Sequence, residues 1–93
     1  MIKTFKDRRT ESIFRGRRAR GLPENIQQRT RRKLRMLDAA VVIEDLLVPP
    51  SNRLEKLRGN RRGQYSIRIN DQWRLCFVWK DCNALDVQVV DYH

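Results

Sequence analysis

The chain has 93 residues, 21 Lys and Arg against 11 Asp and Glu, a formal net charge of +10, and 40% hydrophobic residues. That length fits one domain, 1–93, around one modest core, and the apolar content is too high for a disordered basic tail. No run of about 18–20 apolar residues exists to form a membrane helix, and Met1–Asp7 does not read as a secretory leader.

Met1–Lys6 reads as a short strand. Asp7 suits the N-cap of a helix from about Arg8 to Arg20, with Gly21 as its stop. Pro23 suits the first turn of a second helix. There Ile26, Thr30, Leu34, Leu37 and Val41 recur at helical spacing, which predicts one buried stripe with the arginines on the wet side. Pro49-Pro50-Ser51-Asn52 marks a loop.

Three strand-like runs follow. Tyr65, Ile67 and Ile69 alternate with polar residues. Beyond the turn Asn70-Asp71-Gln72, Trp73, Leu75, Phe77 and Trp79 alternate with Arg74, Cys76 and Val78. Beyond Lys80-Asp81-Cys82-Asn83, Leu85, Val87 and Val89 alternate with Asp86, Gln88 and Val90. Period-two patterning with short connections predicts an antiparallel meander with one packed face and one wet face. The fold class is therefore α+β, two N-terminal helices packed on a small antiparallel sheet.

The charge is zoned. Residues 1–35 hold 13 Lys and Arg against three acids, residues 36–52 hold three acids and no base, and residues 53–62 hold five bases and only Glu55. Such a field favours polyanions, nucleic acid first among them, over a merely solvated face. One histidine and two cysteines lack zinc spacing, so no metal or cofactor is expected. Cys76 and Cys82 read as reduced thiols in a cytoplasmic protein. By parity Arg68 and Arg74 share the non-core face, joined by Tyr92 if its strand runs straight. Asp91 and His93 fall on the opposite face unless a bulge intervenes. Arg74 adjoins Trp73, so a cation–π pair is the structural alternative to a site role.

Several stretches together carry a family resemblance: Pro49–Gly59 (PPSNRLEKLRG), Gln64–Phe77 (QYSIRINDQWRLCF), the opening Met1–Phe5 and the closing Val90-Asp91-Tyr92-His93. The chain resembles the HigB-type toxins of the RelE/ParE superfamily, from type II toxin–antitoxin modules, nearly end to end. The resemblance implies the same α+β fold and a metal-independent endoribonuclease that cuts mRNA in the ribosomal A site. It also implies a HigA-like helix-turn-helix antitoxin as partner, with operator DNA reached only through that antitoxin. Carried over by position, the catalytic residues are Arg58, Arg74, Asp91, Tyr92 and His93. Arg68, Arg61, Arg62 and Lys56 are read as RNA-binding. Some members place a histidine just before the Leu-x-Gly element, where this chain has Glu55, and some have Lys where Arg58 stands.

Metal-free RNA cleavage must deprotonate the ribose 2′-OH, stabilise the phosphorane and protonate the 5′-oxygen. Arg58, Arg68 and Arg74 supply planar donors for the phosphorane oxygens. His93 is the only side chain here that titrates near neutrality without help. Asp91 orients it or serves as base, and Tyr92 stacks on a base or donates a hydrogen bond. The alternative is a catalytically weak or inactive basic module, an antitoxin-bound co-repressor.

Overall fold

The computed structural model describes residues 1–91, so Tyr92 and His93 lie outside the described residues. Helices α1 (Arg8–Phe14) and α2 (Glu24–Ala39) precede a four-stranded antiparallel sheet of order β1-β2-β3-β4. The strands are β1 (Glu55–Lys56), β2 (Gln64–Arg68), β3 (Trp73–Lys80) and β4 (Asn83–Asp91). The three long strands form the meander that the alternation predicts. The two-residue β1 is too short to carry a period, and it pairs with β2 as Glu55 with Ser66 and Lys56 with Tyr65.

The core lies between the helices and one sheet face. Ile13, Leu34, Leu37, Leu46, Ile67, Leu75, Phe77 and Val87 are fully buried there. Burying a side chain of this size contributes roughly 1.5–3 kcal/mol. Trp73 belongs to this core and Trp79 packs at its margin. The cation over the Trp73 ring is Arg9, 5.6 Å from the centroid, and not Arg74. No helix among the described residues is long and apolar enough to cross a membrane.

Several expectations need correction. Asp7 does cap α1, accepting from the Thr10 amide at 2.8 Å. The helix stops at Phe14 rather than Arg20, however, because Gly16 takes φ +85° and Arg17 N turns back to Ser12 O. Past Phe14 the segment offers the core only Ala19, too little to hold a helix down. Gln27 ties that residue instead, bonding both its amide and its carbonyl. Pro23 stands at the N-cap of α2, one place before the helix proper. At the other end Val41 lies beyond α2 and is 65% exposed. Asp45 captures the Val41 and Val42 amides and turns the backbone outwards, and these bonds hold its carboxyl below the usual range.

Met1–Lys6 is extended but is not a strand of the sheet. It lies parallel to β4 and touches it in two isolated bridges, Ile2 with Ala84 and Phe5 with Val87. Opposite this segment β4 carries a bulge. Cys76 pairs with Gln88 but Val78 pairs with Leu85, so Asp86 and Val87 share the place opposite Phe77, with Asp86 at φ +51°. The extra residue inverts the parity: Ala84 faces the core with Val87 and Val89, and Leu85 turns to the other side.

Candidate active site

The sheet face opposite the helices carries two rows of cross-strand neighbours. One row is Arg68, Arg74 and Val90. The next is Glu55, Ser66, Cys76 and Gln88. Beyond β1 the loop 57–63 leads back to β2, anchored by the buried Leu57, whose amide donates to Gln64 O at 2.8 Å, and Arg61 reaches from it across the second row to Gln88.

Arg74 is the centre of this arrangement. Its Nε donates to Ser66 Oγ at 2.8 Å and its Nη2 to the Arg53 carbonyl at 2.6 Å. Arg53 adopts a left-handed conformation, φ 44°, as it closes the Pro50–Asn52 turn. The Glu55 carboxylate stands 3.6 Å from Arg74 Nη2, and only 11% of the Arg74 side chain is exposed. A guanidinium held this way has a fixed plane and a fixed direction, which suits oriented donation to an anionic oxygen. Arg61 Nη1 bridges Gln64 Oε1 and Gln88 Oε1, each at 3.2 Å. Cys76 is fully buried beneath the two arginines. Burial pushes its thiol up, Arg61 and Arg74 work against that, and Glu55 adds to it.

The structure therefore gathers Arg74, Arg68 and Arg61 on one face. Arg68 sits at the end of β2 beside Arg74 and pairs with Asp71. Lys56 at the end of β1, with Arg58 and Arg62 from the loop that follows, lines a hollow of about 550 Å³. Arg61, read as RNA-binding, is half-buried and folded towards the sheet, where it reaches Gln88. Asp91 is not brought to this face: its register partner is Trp73, a core-side residue, and its Oδ2 accepts from Gln72 Nε2 at 3.2 Å. Tyr92 and His93 lie outside the described residues. Among the described residues no three His, Cys, Asp or Glu side chains gather as metal ligands would.

Ser66, Gln88 and the Arg53 carbonyl went unrecognised as site groups in the sequence. The parity of Ser66 with Arg68 was the available signal; the Arg53 carbonyl had none, since it depends on a left-handed turn.

The sequence model of one family, described as the RelE-like toxin of type II toxin–antitoxin system HigB, matches residues 3–93. The chain belongs to the HigB-like toxin family. Toxin HigB-1 of Vibrio cholerae is 45% identical to this HigB-like toxin over 87 residues, covering 92% of each chain. Endoribonuclease HigB of Proteus vulgaris is 31% identical over the whole length of both. Among solved structures, the YoeB-YefM complex from Staphylococcus aureus matches with a TM-score of 0.61 at 21% identity, covering 100% of this chain and 98% of that one. That likeness confirms the RelE-like α+β fold expected for a HigB-like toxin.

Proposed function

We propose that this chain is a ribosome-dependent endoribonuclease that cuts mRNA in the A site without a metal, acting in the cytoplasm as one domain over 1–93. The observation that carries this reading is the fixed Arg74 guanidinium on a cationic sheet face beside Arg68, in a family with an endoribonuclease among its members. In this reading the 2′-OH attacks the adjacent phosphorus and the 5′-oxygen leaves. Arg74 and Arg68 donate to the non-bridging oxygens, where charge builds up in the phosphorane. His93 moves the proton, a contribution worth about 10²–10⁴ in rate. Asp91, on the other side of β4, fits an orienting role better than that of direct base. Tyr92 stacks on a base or donates a hydrogen bond. Arg58, Lys56, Arg61 and Arg62 hold flanking phosphates. The partner is a HigA-like helix-turn-helix antitoxin, through which alone operator DNA is reached.

One observation favours the second reading, a catalytically inactive basic module serving as co-repressor. Arg74 is engaged with Ser66, Arg53 and Glu55, and a guanidinium so engaged has a structural role whether or not RNA is cut. Induction of Arg74→Lys and His93→Ala variants separates the two. Under the enzyme reading both variants relieve growth arrest, and primer extension on cellular mRNA shows cleavage reduced at least about 100-fold, while antitoxin affinity is retained. Cellular mRNA left intact on induction of the native chain would leave only the binding module, and undiminished cleavage by both variants would overturn the roles given to Arg74 and His93.

A further inference from the structure

The proposed RNA-cleaving face has a cationic neighbour whose other bases, Arg68 apart, have no part in cleavage. Between α2 and the β2–β3 turn lies a cavity of about 370 Å³, lined by Arg29, Arg32 and Lys33 with Met36, Ser51 and Arg68. We propose that this cavity holds a backbone phosphate of the same RNA strand that crosses Arg74, as a subsite separate from the cleavage point. The identity of that strand rests on the endoribonuclease reading; the capture of a phosphodiester does not.

Every ionisable side chain lining the cavity is a base. On α2, Arg29 and Lys33 stand four residues apart, as do Arg32 and Met36, so one flank of the helix carries the charges towards the hollow. Like charges at that spacing oppose helix formation, and α2 has no acid between Glu24 and Asp38 to offset them. Lys33 registers the crowding: its pKa is lowered first by burial, then by Arg29 and Arg68. Asp71 pairs with Arg68 from a fully solvated position.

The cations are also aimed. Asn52 is fully buried and gives its amide to the Leu46 and Val48 carbonyls and to Met36 Sδ. That fixes its Oδ1 on Lys33 Nζ and holds the ammonium at the cavity wall. Charges on a solvated face diverge into water, whereas these converge on a hollow that also presents the Ser51 side chain. Arg68 joins the two places. It is the cross-strand partner of Arg74 and also lines the cavity. A strand leaving Arg74 in that direction meets Arg68 and then Lys33.

The test is binding of a 2′-O-methyl RNA octanucleotide, which lacks the nucleophile and reports affinity whether or not the protein cleaves. The native chain is compared with Arg32→Gln/Lys33→Gln over a range of salt concentrations. Affinity at low salt should fall about tenfold, and the slope of log K against log salt should shrink by about 0.7, the value for one phosphate on a single strand. If the double variant melts early, Arg32→Gln alone, at an exposed position, should still lower both quantities. Unchanged affinity and slope would overturn the proposal. So would a loss confined to 70S ribosome binding, which would assign the cavity to structural RNA, or a loss confined to antitoxin binding, which would assign it to an acidic protein surface.

Discussion

At the scale of single residues the two cysteines make the sharpest contrast. Cys82 is exposed in the β3–β4 turn, while Cys76 is fully buried under Arg61 and Arg74. Alkylation of the native protein near neutral pH should modify Cys82 alone, with Cys76 labelled only on unfolding; mass spectrometry of the peptides decides it. Burial raises the pKa of Cys76 above its ordinary 9.0. In the unfolded chain the thiol ionises first, so the stability it contributes is complete below about pH 9 and is lost as pH climbs towards the higher folded value. The melting temperature of Cys76→Ala should therefore fall less steeply above pH 9 than that of the native chain. An equal slope in both would show that the thiol ionises as readily in the folded chain as in the unfolded one, so that burial does not raise its pKa.

At the scale of elements the bulge in β4 matters most, because it decides which residues reach which face. Asp86 holds a left-handed conformation there, and its amide donates to Thr4 Oγ1 at 2.8 Å. Replacing it with a β-branched residue should be costly. Asp86→Val is expected to lose about 1–2 kcal/mol, read from the urea midpoint. Asp86→Gly, free of that strain, should lose less. This bulge also marks where the sequence stopped being readable. Alternation located the three long strands, placed Arg68 and Arg74 together and put Trp73 inside, because a half-buried strand writes its two faces into every second residue. It misplaced Leu85, since one inserted residue leaves no trace in composition. α1 came out too long because cations fit a helix surface and a solvated loop equally well. The left-handed turn at Arg53 and the short β1 were invisible for a related reason: what holds them is the distant Arg74 and Ser66, not their own neighbours.

At the scale of the molecule the dominant fact is charge. Twenty-one bases on a fold with a Cα radius of gyration of 12.0 Å create a field that steers any acidic partner. Association with the antitoxin should therefore slow as salt rises, by about tenfold or more between 50 and 500 mM in stopped-flow measurements, while dissociation changes less. An association rate flat across that range would mean that the antitoxin meets the 36–52 stretch, which holds acids and no bases, and not the basic helices.

The N-terminal segment has a consequence for synthesis. Ile2 and Phe5 find their partners at Ala84 and Val87, across almost the full span of the sequence. Contacts of such high sequence separation form late, after a large loop-closure entropy has been overcome. A polypeptide interrupted before residue 84 leaves that segment with no rail to lie along and the sheet without its last strand. Partial translation products should be degraded rather than toxic, so any toxic form would arise only from chains that carry β4.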